Sequence, residues 1–178
     1  IGEVSVSPDG KKVLYTLTYY SISENKGNAE IYTMNIDGSD VQRLTTTASS
    51  EWNVIWNPKG DKIGFIYADE TGVNIYEMNP DGTGRTAISD LKEGDLEGFS
   101  YSPDGTKVVY VRAVPKQDKY AKLKEGLDKT TGRINDDLAY RHWDNWVDAI
   151  PQPFVADFDG KKIGEGKNIL ENTEFESP

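Results

Sequence analysis

Apolar residues recur at every second position around three proline-containing turns: Ser7-Pro8-Asp9-Gly10, Asn57-Pro58-Lys59-Gly60 and Ser102-Pro103-Asp104-Gly105. Two residues before each proline stand Val6, Trp56 and Tyr101, and four before stand Val4, Val54 and Phe99. Five residues after come Val13, Ile63 and Val108, and seven after come Tyr15, Phe65 and Tyr110. Side chains at spacing two line one face of a strand, so each stretch predicts a β-hairpin with one buried face. Proline presets φ for the first turn position, and glycine takes the positive φ that other residues resist. Trp52, Val54 and Trp56 extend the alternation and are expected to share one face as core packing.

A second hairpin follows each first one. Ile31-Tyr32-Thr33-Met34-Asn35-Ile36-Asp37-Gly38 matches Ile75-Tyr76-Glu77-Met78-Asn79-Pro80-Asp81-Gly82, and short strands follow, ending in Arg43-Leu44-Thr45 and Ala87-Ile88-Ser89. The third copy has drifted to Phe154-Val155-Ala156-Asp157-Phe158-Asp159-Gly160, then Ile169-Leu170. Two hairpins make four strands, which is one propeller blade. The turn prolines stand 50 and 45 residues apart, and periods of about 40–50 residues point to such arrays. The expectation is an all-β fold: a partial β-propeller of about three four-stranded blades, over residues 1–50, 51–95 and 96–172. Propellers have roughly 4 to 8 blades, so this arc leaves two sheet faces bare and is expected to belong to a larger molecule.

The third blade is interrupted by a helical or extended insertion over 115–150. Within it, Tyr120, Leu123 and Leu127 sit at offsets of three and seven, which predicts an amphipathic helix over 116–128. The following run, Asp136 to Asp148, holds the only histidine, His142, and two of the four tryptophans. Its aromatic density favours a long strand ending in a hairpin tip and pairing with Phe154–Phe158; a helix capped by Asp136 is the other possibility.

The charge balance is acidic, 30 Asp and Glu against 20 Lys and Arg, for a net −10. Such a surface repels phosphate backbones and anionic lipid, which argues against nucleic acid and membrane partners. Lys116, Lys119, Lys122 and Lys124 form the one basic cluster, interleaved with Asp118 and Glu125, and are best explained as a solvated helix face. With no cysteine there is no disulfide, thiolate metal site or cysteine nucleophile in this segment.

No Gly-x-Ser-x-Gly nucleophile elbow occurs. A Ser-His-Asp triad would have to use His142, which has no serine nearby in sequence and is better explained as a packing residue. One histidine without cysteine cannot make a His-rich zinc site. The recurrent Asp-Gly pairs lack the alternating acidic ligands of a calcium loop and are turn residues. Neither a catalytic residue, a metal site nor a cofactor is therefore assigned to this chain.

The Ser-Pro-Asp-Gly-x-Lys-Val-x-Tyr repeats resemble TolB-like propeller blades. The stretch Ile134-Asn135-Asp136-Asp137-Leu138-Ala139-Tyr140-Arg141-His142-Trp143-Asp144-Asn145-Trp146, with Phe154-Val155-Ala156, resembles the propeller of bacterial dipeptidyl peptidases in the prolyl oligopeptidase family. The acylaminoacyl-peptidase branch is a near relative. The resemblance implies a periplasmic or secreted serine exopeptidase. In it the propeller admits short peptides to a C-terminal α/β-hydrolase domain, whose triad lies outside this chain. It further implies a substrate-binding set of Asp136, Asp137, Tyr140, Arg141, Trp143, Asp144, Trp146 and Asp148. One of the four carboxylates would grip the substrate α-ammonium by charge-assisted hydrogen bonds, and Tyr140, Trp143 and Trp146 would wall the pocket. The alternative is a non-enzymatic TolB-like propeller that binds a protein partner.

Overall fold

The computed structural model describes residues 1–91, 95–115, 125–126, 131, 141–142, 145–171 and 173. Among these, three four-stranded antiparallel sheets follow one another along the chain. The first contains β1 (Gly2–Val6), β2 (Lys12–Ser21), β3 (Lys26–Asn35) and β4 (Gln42–Arg43). The second contains β5 (Glu51–Trp56), β6 (Ile63–Asp69), β7 (Gly72–Met78) and β8 (Thr86–Ala87). The third contains β9 (Leu96–Tyr101) and β10 (Lys107–Pro115), then β13 (Ala149–Asp157) and β14 (Lys167–Asn168). Between β10 and β13 lie β11 (Arg141–His142) and β12 (Asn145–Trp146), which among the described residues pair with each other. The all-β, three-blade expectation is borne out.

The repeat is visible in the registers. Tyr15 faces Tyr32, Phe65 faces Tyr76 and Tyr110 faces Phe154, and each pair stacks with ring centroids 5.6, 5.9 and 5.4 Å apart. The three proline turns close alike: Gly10, Gly60 and Gly105 adopt φ 72°, 72° and 70° and donate to the carbonyls of Ser7, Asn57 and Ser102.

Apolar side chains fill the seams between sheets. Leu14 and Ile31 of the first sheet meet Val54, Trp56, Phe65, Tyr76 and Met78 of the second. Ile66, Ile75 and Ile88 of the second meet Phe99, Val108, Tyr110, Phe154 and Phe158 of the third. Each large side chain so buried contributes roughly 1.5–3 kcal/mol, which is why the sheets stack. Trp52 departs from its expected place. Asn53 takes φ 52° and the register slips between Trp52 and Ile55, a β-bulge that reverses the facing of everything before it. Trp52 therefore packs against the second seam while Val54 and Trp56 fill the first.

The outer strands end earlier than the sequence suggests, at Arg43, Ala87 and Asn168. Just beyond the first two, a hydroxyl replaces the ladder: the Ile31 amide donates to Thr45 Oγ1 and the Ile75 amide to Ser89 Oγ, both at 2.9 Å. In the third sheet the corresponding residues are Pro153, which has no N–H, and Leu170, which has no hydroxyl. Both halves of the bond are missing together.

The insertion differs from expectation as well. β10 pairs with β13 from Lys107–Asp157 to Pro115–Ala149, so the 136–148 run is not the partner of Phe154–Phe158. Pairing with β10 completes the repeat hairpin, and the described residues of that run form a local ladder, Arg141 opposite Trp146 and His142 opposite Asn145. Of the helix expected over 116–128, Glu125 and Gly126 form a turn with Gly126 at φ 77°, a conformation no α-helix passes through. The rest of it lies outside the described residues, as do Lys116, Lys119, Lys122 and Lys124.

Candidate functional site

Three hydrogen bonds identify which end of the sheets carries the insertion. Lys26 Nζ donates to the Ala48 carbonyl at 3.2 Å and Asn28 Nδ2 to that of Thr47 at 2.7 Å. The β2–β3 tip and the crossing into the second sheet therefore share one end. The Ala113 amide donates to Asp95 O at 3.0 Å, which sets the mouth of the insertion beside the crossing into the third sheet. The proline turns occupy the other end, where the Pro8 ring rests against Gly60 (3.3 Å from the position of an added Cβ).

Of the implied substrate-binding set, Asp136, Asp137, Tyr140, Trp143 and Asp144 lie outside the described residues. The backbone brings Arg141 and Trp146 into one cross-strand pair. Trp146 is 41% exposed. Asp148 is exposed and stands one residue before Ala149, where the hairpin opens into the insertion. No group of three or more His, Cys, Asp or Glu arranged to hold a metal occurs among the described residues.

Below this end lies a polar network that the sequence reading missed. Glu30, fully buried, accepts from the Thr47 amide at 3.1 Å and from Asn28 Nδ2 at 3.1 Å, and Arg43 Nη2 sits 3.1 Å away. Glu51, also buried, accepts from Thr45 Oγ1 at 2.9 Å, Thr47 Oγ1 at 2.5 Å and Arg85 Nη1 at 3.1 Å. Burial pushes the Glu51 carboxyl up, against the pull of those hydroxyls and the guanidinium. Arg85 lies over the rings of Tyr67, Phe65 and Tyr76, at 3.9, 4.9 and 5.1 Å from their centroids. Asp69 is held down at about 2 by the Thr71 hydroxyl, the Tyr76 phenol and the Thr71 amide, while burial and Asp69 raise Tyr76 to about 12. The network fixes the crossing between the first and second sheets. A charged residue inside an apolar strand, as in Ala29-Glu30-Ile31-Tyr32, was the signal available in sequence.

On the third sheet, a cavity of about 760 Å³ is lined by Gln152, Phe154, Glu165, Lys167, Asn168 and Thr173 among others. Gln152 Oε1 accepts from Asn168 Nδ2 at 2.5 Å within it.

Residues 2–143 match the TolB β-propeller domain family. Over all 178 residues the chain is 36% identical to dipeptidyl-peptidase 5 of Porphyromonas gingivalis and 34% identical to that of Porphyromonas endodontalis. It spans 26% of the length of each, about a quarter of these curated relatives. Among solved structures, the acylaminoacyl peptidase of Pyrococcus horikoshii superposes with TM-score 0.67 at 17% identity, over 99% of this chain and 25% of that one. TolB of Acinetobacter baumannii superposes with TM-score 0.56 at 19% identity, over 92% of this chain and 31% of that one. These structural likenesses carry the fold. The expected resemblance to TolB-like blades and to the propeller of bacterial dipeptidyl peptidases is borne out, and the acylaminoacyl peptidase likeness is one of fold.

Proposed function

This chain belongs to the TolB β-propeller domain family, and from that premise we propose that it is part of the propeller of a periplasmic or secreted serine exopeptidase of the prolyl oligopeptidase family, dipeptidyl-peptidase-like in activity. Its partners are an α/β-hydrolase domain of the same protein and the short peptides that the propeller admits. The observation that carries this reading is the extent of the similarity. Identity to two dipeptidyl-peptidases 5 runs through all 178 residues, so it takes in the insertion as well as the repeat that many propellers share.

A dipeptidyl peptidase must hold the free α-ammonium of its substrate, and a fixed carboxylate does so with bonds stronger than neutral ones. Asp136, Asp137, Asp144 and Asp148 are the candidates, with Tyr140, Arg141, Trp143 and Trp146 around them. Support for the location comes from the insertion leaving the sheets at the end that the Glu30–Glu51 network braces. In the full-length protein, Asp→Asn at each of the four positions is the test. The anchor's variant should lose roughly 10- to 100-fold or more in kcat/KM on free-amino dipeptide substrates, with its unfolding midpoint unchanged. Unchanged kinetics at all four overturns the site.

A non-enzymatic propeller that binds a protein is the competing reading, supported by the TolB structures among the likenesses. The coding sequence beyond Pro178 separates the two. A Gly-x-Ser-x-Gly on a strand-turn-helix pattern, followed by Asp and then His, favours the peptidase, and its absence favours the binding module.

A further inference from the structure

A carboxylate spans the first seam, and the far face of the first sheet repeats the place that receives it. Glu3, five residues before the first turn proline, sets Oε1 on the Asn53 amide at 2.8 Å and Oε2 on the Val54 amide at 3.1 Å. Those amides lie at the bulge where Asn53 takes φ 52° and the register slips between Trp52 and Ile55. Glu3 repeats the bulge, at φ 28° with the slip between Gly2 and Val4. The amides of Glu3 and Val4 therefore hold, on the open face, the place that the Asn53 and Val54 amides hold in the seam. The surrounding side chains repeat as well. Val4, Val6, Val13, Tyr15 and Tyr32 take the positions of Val54, Trp56, Ile63, Phe65 and Tyr76, all five packed in the first seam. Val4 and Val6 are 66% and 52% exposed, against 3% and 8% for Val54 and Trp56.

We propose that this face docks an adjoining blade whose glutamate, five residues before that blade's own turn proline, clamps the amides of Glu3 and Val4. The occupant follows from continuity. In both seams these positions are covered by the neighbouring sheet, which brings an aliphatic pair, Ile31 and Leu44 in one and Ile75 and Ile88 in the other. Glutamate follows from reach and charge. Asn53 clamps the second seam, accepting from the Phe99 amide at 2.9 Å and donating to its carbonyl at 3.0 Å. That short clamp needs glycine beside it, because a Cβ on Gly98 would stand 2.8 Å from Asn53 Oδ1. Glu3 carries a Cβ, so the short clamp is shut out and the longer one is needed, as where Glu3 meets Asn53. Two amides taken by two oxygens call for a carboxylate, since a glutamine offers one. The proposal rests on the reading of this chain as part of a larger propeller.

Amide hydrogen exchange of the full-length protein, resolved to single residues, tests the clamp. The Glu3 and Val4 amides should exchange as slowly as those of Asn53 and Val54, about 100-fold or more below an unprotected amide. Glu→Gln at the clamping position of the adjoining blade should speed exchange at Glu3 and Val4 about 10-fold and leave Asn53 and Val54 unchanged. Free exchange at Glu3 and Val4, a residue other than glutamate at that position, or a Glu→Gln variant without effect overturns the clamp. Val4→Cys, in a protein free of any other cysteine, separates that failure from failure of the larger propeller; this chain contains none. A thiol as slow to react as that of Val54→Cys means that the face is covered and leaves the larger propeller standing. One as fast as that of Ile22→Cys, at an exposed site, means that no blade docks there and overturns both.

Discussion

Gly64 sits on β6 where the second seam is tightest, and replacing it by alanine is a direct measure of how that seam is held. An added Cβ would lie 2.9 Å from Phe99 Cζ and would run into the Tyr101 hydroxyl. That hydroxyl is the donor to Glu77, whose carboxyl burial already pushes up and the Tyr101 bond pulls down. The protein can keep Tyr101 in place and bear the overlap, at about 1–3 kcal/mol. It can instead swing the ring away and lose a hydrogen bond to a charged group, at about 1.5–3 kcal/mol. Gly64 does not have a positive φ, so alanine is free of backbone strain and recovers about 0.4–1 kcal/mol through the unfolded chain. The expected net loss is about 0.5–2.5 kcal/mol, measured by urea unfolding of the full-length protein and followed at the unfolding transition of the propeller. Tyr101→Phe removes the clashing oxygen, so the two substitutions should cost less together than the sum of their separate costs. The pH dependence follows from the sign of the Glu77 shift. A carboxyl raised in the folded state is relatively favourable when protonated, so its share of stability falls as pH climbs from the ordinary carboxyl value through the raised one. In Tyr101→Phe the bond that pulled it down is gone, and that decline should extend to higher pH. A Gly64→Ala protein within ~0.5 kcal/mol of the parent, the ordinary range for an uninvolved site, would refute the notch.

Two further tests use the repeat and the Asp69 pair. Thr45→Val and Ser89→Ala each leave a strand amide, Ile31 or Ile75, buried without its acceptor; each should cost about 1–3 kcal/mol and speed hydrogen exchange at that amide, and unchanged exchange at both would remove the hydroxyl caps from the account. Asp69→Asn should bring the Tyr76 phenol down from about 12 towards, but not to, its ordinary value, because burial outweighs Asp69 in raising it. With Asp69 at about 2, its contribution to stability is complete above the ordinary aspartate range and is lost as pH falls towards 2, a dependence that Asp69→Asn abolishes. A phenolate absorbance titration unmoved by the substitution would contradict the pairing.

The parts of this fold legible in sequence are those set by neighbours along the chain. Proline, glycine and apolar alternation locate the three inner hairpins, because a turn and its flanking strands are local in cause. What failed to show was set across seams. The bulge at Asn53 exists with a side chain that bonds Phe99, 46 residues on, and nothing around Asn53 announces that partner. The outer strands stop where Thr45 and Ser89 take over the amides of Ile31 and Ile75, and a hydroxyl two residues past a strand reads in sequence like any other loop residue. In the third sheet Pro151 and Pro153 break the alternation that made the other copies recognisable, so the drifted copy was placed by its Asp-Gly turn and its outer strand was put two residues late. The substrate-binding set came from resemblance. Glu30, Glu51 and Arg85 needed coordinates, since a charge in an apolar strand announces burial without naming its partner.

The same economy explains why the third sheet is unlike the other two. The side chain of Asn53 can clamp Phe99 only if nothing projects from the residue beside it, and a Cβ on Gly98 would stand 2.8 Å from Asn53 Oδ1. The glycine that admits the clamp from the second sheet therefore cannot extend one to the next. The inner strand can pass on its polar link only while each bulge residue carries a side chain that the previous bulge residue tolerates. Asn53 meets that condition beneath Glu3, and Gly98 does not meet it beneath Asn53. Loss of the Glu77 counterpart at Val155 follows the same line: with Val109 filling the notch that Gly64 leaves open, no ring hydroxyl can reach in to need an acceptor. The polar links fail together because each depends on space that its neighbour has taken.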